Sequence, residues 1–173
     1  MQPIYTFISH DDFVADIRAL ATALAMSTDW QPTLIVGIGR GGLVPAVYLS
    51  HATGLPMASY DLSAQTPQAG DDLLTRLAAR TRDGERLLFV DDINDTGRTL
   101  GLLRTWVDEA SAQPGSVRFA TLLDNEVSAQ QVSYRARVID RRVVKDWFVF
   151  PWEAVATADA IAQDAAEIPE RTS

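Results

Sequence analysis

Leu87-Leu88-Phe89-Val90-Asp91-Asp92-Ile93-Asn94-Asp95-Thr96-Gly97-Arg98-Thr99 decides how this chain is read. The four leading apolar residues have the unbroken hydrophobicity of a strand covered on both faces, as parallel strands are. Two adjacent carboxylates, Asp91 and Asp92, stand where that strand is expected to end. Asp95 to Thr99 then forms a short turn rich in hydroxyls and backbone N–H donors. Leu100, Leu102, Leu103, Trp106 and Val107 come next at helical spacing, so the turn opens a helix. The first N–H groups of a helix are unpaired and its dipole favours negative charge, so such a turn is an anion site. Thr96 and Thr99 add hydroxyl donors to it. The acids beside it suit a sugar diol or a hydrated magnesium ion. Phosphate, diol and metal in one place describe a phosphorylated sugar.

Around this segment the chain reads as alternating strands and helices. Ser9 or Asp11 caps a helix through Phe13, Ile17, Leu20 and Leu24. Thr33 to Val36 is a short buried strand, Gly37 to Gly42 a glycine turn, and Leu43 to Ala52 a helix stopped by Gly54 and Pro56. Met57 to Tyr60 is a strand, Asp61 to Asp72 a polar loop, and Leu73 to Arg80 a helix. After Leu87 to Val90 and the helix Leu100 to Ala110, Pro114-Gly115 turns the chain into the strand Val117 to Leu123. Strands at Arg137 to Ile139 and Trp147 to Val149 and a helix from about Glu153 to Ala166 complete the order. This is an α/β pattern, with a mainly parallel sheet wrapped by helices on both faces and ligands expected beyond the carboxyl ends of its strands.

Bulk properties narrow the function classes. At 173 residues and 47% hydrophobic composition, one domain with a sizeable core is expected. With no cysteine, disulfides and thiolate metal sites are excluded and a reducing compartment is the natural setting. Met1 to His10 lacks the basic and apolar segments of a signal peptide, and no apolar run reaches spanning length, so the expectation is a cytoplasmic protein without membrane contact. The formal charge of −8 opposes nucleic-acid binding. An anionic substrate must therefore be met by local charge and metal.

Gly37-Ile38-Gly39-Arg40-Gly41-Gly42 contains G-x-G-x-x-G between a strand and a helix, with Asp61 downstream where a ribose-binding acid is expected. A dinucleotide site therefore competes on this segment alone. Against it, the chain is short for a dinucleotide domain plus a substrate domain, and Asp91 to Thr99 is left unexplained. A Walker B reading of the first strand fails because no G-x-x-x-x-G-K-[ST] occurs.

The run Leu87 to Thr99 resembles the phosphoribosyl-pyrophosphate (PRPP) motif of the type I phosphoribosyltransferases, with an apolar strand, two acids, Asp-Thr-Gly and a closing Thr. Arg40 to Pro45 resembles the pyrophosphate loop of the bacterial and archaeal purine enzymes of this family. There glycines let backbone N–H groups approach the pyrophosphate and Arg40 offers a guanidinium fork. The family often carries a cis peptide before that basic residue, here Gly39-Arg40. Lys145 to Glu153 (KDWFVFPWE) resembles the hood of the xanthine-guanine and hypoxanthine group. The resemblance spans roughly Thr33 to Glu153 with its three motifs in order. It implies a single-domain type I phosphoribosyltransferase-like fold over 1–167, with a small hood from the N-terminus and 124–153 and a flexible tail at 168–173.

The resemblance also assigns roles. Arg40, Gly41, Gly42, Asp91, Asp92, Asp95, Thr96, Gly97, Arg98 and Thr99 bind PRPP, with its 5′-phosphate on Asp95 to Thr99 and its diol on Asp91 and Asp92. Asp91, Asp92 and Glu153 lie near magnesium. Asp95, as proton acceptor, and Arg40, at the departing pyrophosphate, are the catalytic residues. Trp147 stacks on the base and Phe148 contacts it through its main chain. Where the purine enzymes commonly carry a base-binding lysine, this chain has Ala120-Thr121-Leu122-Leu123-Asp124-Asn125-Glu126. Asn125 takes that position, Asp124 offers a carboxylate that favours an amino group, and Lys145 is a substitute cation from another strand. The loop Asp61 to Asp72 closes over the site. The family resemblance implies magnesium-dependent transfer from PRPP to a 6-oxopurine, giving a nucleotide and pyrophosphate in a homodimer or homotetramer. The alternatives are transfer to another base, or a PRPP or nucleotide sensor without turnover.

Overall fold

The computed structural model describes residues 4–62 and 67–166, with side chains in the first turn of the third helix, 67–71, left out. In chain order the elements are β1 (Tyr5–Phe7), α1 (His10–Met26), β2 (Leu34–Ile38), α2 (Gly39–Thr53), β3 (Met57–Tyr60), α3 (Pro67–Arg82) and β4 (Leu87–Asn94). They continue with α4 (Arg98–Glu109), β5 (Val117–Asn125), β6 (Tyr134–Ile139), β7 (Trp147–Val149), a 3-10 turn at Pro151–Glu153 and α5 (Ala158–Ala166). Five strands form one sheet in the order β3-β2-β4-β5-β6, every pair parallel. The α/β fold with a mainly parallel sheet is as the sequence pattern requires.

Strand alternation sorts the core into two layers. Ile35 of β2, Leu88 and Val90 of β4, and Ala120 and Leu122 of β5 pack with Phe13, Ile17 and Leu20 of α1 and Ala46 and Leu49 of α2. Leu34, Val36, Leu87, Phe89 and Phe119 point the other way, onto Leu74 and Leu77 of α3 and Leu100, Leu103 and Val107 of α4. Successive side chains on a strand alternate faces, so these apolar runs need a helix layer on each side. The polar cap of α1 is as expected: the Ser9 hydroxyl accepts from the Asp12 N–H at 3.0 Å.

A second, two-stranded sheet stands apart. β1 and β7 pair in parallel, Tyr5 opposite Trp147 and Phe7 opposite Val149, and the Trp147 N–H donates to the Ile4 carbonyl at 2.7 Å. The Thr6 hydroxyl adds a 2.6 Å bond to the Asp146 carboxylate. This small hood joins the N-terminus to the segment before Pro151. β1 is not legible in the sequence, because three residues carry no usable period.

Several boundaries move for physical reasons. β4 runs on through both acids to Asn94, since β5 continues beside it to Asn125 and keeps its backbone paired. The expected glycine turn is divided: β2 extends through Gly37 to Ile38, and α2 starts at Gly39. No peptide among the described residues is cis, so the Gly39-Arg40 bond differs from the family expectation; Gly39 turns the chain with a φ of +54°. The expected loop 61–72 is helical from Pro67 onward, and residues 63–66 and the tail 168–173 lie outside the described residues. Pro151–Glu153 is a 3-10 turn, and the last helix begins at Ala158.

Helix α2 lies close enough to β4 to forbid a side chain at Gly42. A Cβ there would stand 2.0 Å from the Val90 carbonyl oxygen, a backbone atom that the sheet holds in place. Gly42→Ala is therefore expected to cost ~3 kcal/mol or more, at the upper end of overpacking effects. Urea unfolding monitored by circular dichroism checks this; a loss below about 1 kcal/mol would contradict the packing described.

Candidate active site

β2 and β4 are neighbours, and each delivers a helix N-terminus to the same edge of the sheet. α2 starts directly after β2, with Ile38 as its capping residue and no side-chain cap. α4 starts after the turn Asp95 to Gly97, with Gly97 as its capping residue and again no side-chain cap. The first-turn N–H groups of both helices are thus left largely for an external acceptor. Arg40 and Gly41 belong to the first start, and Arg98 and Thr99 to the second. Arg40, Thr96 and Arg98 are exposed. The Thr96 hydroxyl accepts a long bond, 3.3 Å, from the Arg98 N–H, which shapes the turn.

Gly97 is required there on two counts. Its φ is +85°, and a Cβ would meet the Gln130 backbone nitrogen at 2.7 Å and the Ser128 hydroxyl at 2.9 Å. The segment Ser128 to Gln130 is itself held by Asn94, whose Nδ2 donates to the Gln130 carbonyl at 2.7 Å and whose Oδ1 accepts from Ser128 at 2.9 Å. Asn94 also donates to Asp124 at 2.8 Å, and Asp124 pairs with Arg135 at 3.3 Å. The buried Asp124 is thereby a brace beneath the turn, not a group offered to a base amino group.

Between the two helix starts stand Asp91 and Asp92. The Asp92 carboxylate lies against α2, where a Cβ on Gly41 would be 2.5 Å from Oδ2. Its Oδ1 accepts from the Ile93 N–H at 2.7 Å, and Asp91 Oδ1 accepts from the Asp92 N–H at 3.0 Å. Burial pushes Asp92 up to about 7, with the Glu153 charge adding to it. Burial, and then the charge of Asp92, holds Asp91 well above the usual carboxylate range. Glu153 is raised as well, chiefly by burial, while the Phe150 N–H and Arg40 oppose the shift.

Glu153 has a second task. It accepts from the Phe150 N–H at 2.7 Å and closes the 3-10 turn. Among the described residues no three acidic, histidine or cysteine side chains are arranged to hold a metal. Asp91, Asp92 and Glu153 therefore do not form a three-carboxylate cage. The adjacent pair Asp91 and Asp92 still suits magnesium, which is commonly held by one or two carboxylates together with substrate oxygens and water. Two neighbouring half-buried acids whose charge is disfavoured would gain from a cation.

The third corner of the site is one that the sequence reading missed. Arg141, 7% exposed, reaches Asp95 with both arms, Nε to Oδ1 at 3.1 Å and Nη2 to Oδ2 at 3.2 Å. Its Nη1 donates to the Asp146 carbonyl at 2.6 Å, and its guanidinium lies 4.9 Å from the centre of the Phe148 ring. Asn125, expected to face the base, is turned inward. Its Nδ2 donates to the Asp95 carbonyl at 2.8 Å, and its Oδ1 accepts from the Arg141 N–H at 3.1 Å and the Val127 N–H at 3.3 Å. At 6% exposure its amide serves the loops around it instead of a ligand. Lys145 is exposed on the surface. The available signal for Arg141 was the missing lysine itself, which left the hood run Arg141, Arg142, Lys145 as the nearest source of a cation.

Trp147 and Phe148 lie half-buried in β7. Trp152 is a packing residue. It stacks on Phe150 at 4.8 Å with planes 10° apart and meets Phe13 edge-on at 5.3 Å.

The arrangement offers two anion positions, a carboxylate pair between them, and a hood with aromatic side chains. The chain matches the phosphoribosyl transferase domain family over residues 7–157 and belongs to that family. It is 31% identical over 156 residues to the xanthine-guanine phosphoribosyltransferase of Cereibacter sphaeroides, covering 84% of this chain and 85% of that protein. The purine phosphoribosyltransferase structure from Pyrococcus horikoshii superposes with a TM-score of 0.64 at 25% identity, covering 88% of this chain and 97% of the other. The xanthine-guanine-hypoxanthine enzyme of Helicobacter pylori has the same fold, with a TM-score of 0.63 at 19% identity over 87% and 94% of the two chains. A phosphoribosyltransferase is what fold and family define, and the chain is an enzyme of that class. No helix among the described residues is long and apolar enough to cross a membrane.

The raised acid gives a pH-dependent stability. With Asp92 near 7 in the folded chain against an ordinary 3.8, the folded state holds more protons between those values. Stability contributed by this residue therefore falls as pH rises through that window, and the penalty is complete above about 7. Asp92→Asn keeps an acceptor for the Ile93 N–H and removes the charge. At pH 8 it should melt above wild type by roughly 4–8 °C, on the order of 2 kcal/mol, with the gap closing towards pH 4. Thermal melts of both proteins across this range check it, and a gap that grows on acidification would refute the assignment.

Proposed function

We propose that this enzyme transfers the phosphoribosyl group of PRPP to a 6-oxopurine such as guanine, xanthine or hypoxanthine, with magnesium, yielding the nucleoside 5′-monophosphate and pyrophosphate. The observation that carries this reading is the pair of uncapped helix starts flanking Asp91 and Asp92. A substrate with a phosphate at one end and a pyrophosphate at the other, separated by a sugar diol, matches that order of donors and acids. The named activity of the Cereibacter and Pyrococcus relatives supports the purine acceptor.

In this reading the 5′-phosphate takes the N–H groups and hydroxyls of Asp95 to Thr99. The pyrophosphate takes the first turn of α2, and Arg40 stabilises the charge that develops as it leaves. Asp91 and Asp92 orient the ribose hydroxyls and would hold magnesium, which when bound would offset the negative charge of the pyrophosphate. Trp147 supplies a flat face for the base, Phe148 its main chain, and the Asp95 carboxylate the acceptor for the proton that the base gives up. Purine salvage, assembly as a homodimer or homotetramer and a cytoplasmic setting belong to the same reading by resemblance.

Purified protein with PRPP and magnesium should form nucleotide from at least one of guanine, xanthine and hypoxanthine in a panel that includes adenine, uracil and cytosine. Asp95→Asn should lower kcat roughly 100-fold, within the usual range for a lost general base, while PRPP binding by calorimetry persists. Silence on all six bases with PRPP still bound would replace this reading by a sensor or an untried base.

A further inference from the structure

Asp95 is the acid on which the proton step of the proposed reaction rests, yet in this chain it does not stand alone. Four bonds close a ring around it. The Asp95 carboxylate takes the Arg141 guanidinium at 3.1 and 3.2 Å. The Arg141 N–H donates to Asn125 Oδ1 at 3.1 Å, and Asn125 Nδ2 returns to the Asp95 carbonyl at 2.8 Å. The ring ties together the turn after β4, the end of β5 and the loop before β7. Beyond it, Arg141 donates to the Asp146 carbonyl at 2.6 Å and packs on the Phe148 ring, so the tie continues into the strand that carries the base-facing residues.

The side chains of this pair are 8% and 11% exposed. A buried ion pair is a poor way to gain stability, because desolvation offsets most of its attraction and apolar side chains of similar volume serve as well or better. What a guanidinium adds is geometry: its planar fork fixes a carboxylate at two points, which a single ammonium does not. A proton acceptor gains from being fixed in this way, since transfer depends on its orientation towards the purine that gives up the proton.

We propose that Arg141 is a positioning residue for phosphoribosyl transfer, holding Asp95 in its working orientation and coupling that orientation to the hood at Phe148. This rests on the transferase reading above. It also gives the missing lysine a physical counterpart: the cation on this side of the site enters from the hood loop, behind the acid, and Asn125 serves as its bracket.

The test is a graded series, Arg141→Lys and Arg141→Gln, measured beside wild type with PRPP and the best base of the panel. Lysine keeps the charge without the two-point fork, so kcat should fall about 10-fold, and glutamine, losing both, should lower it about 100-fold. Across the series the dissociation constant for PRPP, read by calorimetry, should stay within about threefold, since the turn that starts α4 is braced independently by Asn94 through Ser128 and Gln130. Melting temperatures accompany each variant, and the lysine variant keeps the series readable if the glutamine variant does not fold. Unchanged kcat in a folded variant, or kcat and PRPP affinity lost together in proportion to melting temperature, would overturn the positioning role while leaving the transferase reading intact. A wild-type chain silent on every base would overturn both.

Discussion

The close approach of helix α2 to strand β4 is the constraint on which the site depends. Gly42 lies over the Val90 carbonyl with no room for a Cβ, and Gly41 lies over the Asp92 carboxylate beside it. Because β2 and β4 are adjacent and parallel, this contact sets the first N–H groups of α2 beside the acids at the end of β4. A larger residue at Gly42 would push the α2 start away from the end of β4. The two roles proposed for this edge, holding an anion and holding a diol or cation, share one location because backbone meets backbone there.

That proximity has an electrostatic cost. Asp91, Asp92 and Glu153 are all shifted towards protonation by burial, and among the described residues neither Asp91 nor Asp92 has a salt bridge. Asp95, three residues further on, receives both arms of Arg141. The end of β4 and the turn after it thus hold two acids without a salt bridge among the described residues and one paired with a guanidinium. The difference separates them: Asp91 and Asp92 have no salt-bridge partner among the described residues, and Asp95 is held at two points by Arg141.

Most of this architecture was legible in the sequence because it is written in short-range terms. The unbroken apolar runs Leu34 to Val36 and Leu87 to Val90 show two covered faces, and the acids, Thr96, Gly97 and Thr99 come in an order that a strand, turn and helix start explain. Other features were not legible because they depend on partners distant in sequence. The extension of β4 through its acids requires β5 alongside it, and β1 exists as a strand only because β7 pairs with it. The inward turn of Asn125 depends on Arg141, sixteen residues away, whose own orientation depends on Asp95, forty-six residues away.

Asn125 stands where the resemblance implies a base-binding lysine. A lysine there would bring a positive charge to the end of β5, immediately after the buried Asp124. In this chain Asp124 is satisfied by Asn94 and Arg135, and Asp95 by Arg141, so the local charge is balanced without a lysine. An amide suits the position because it both donates and accepts, and the groups around it include the Asp95 carbonyl and the Arg141 N–H. The cation on this side of the turn sits on the hood loop, behind the carboxylate, held by the Asp146 carbonyl and the face of Phe148. The segment that anchors this cation controls the geometry of the acid it holds. Here that segment is the loop between β6 and β7, so the orientation of the acid and the placement of the hood are set by the same residue.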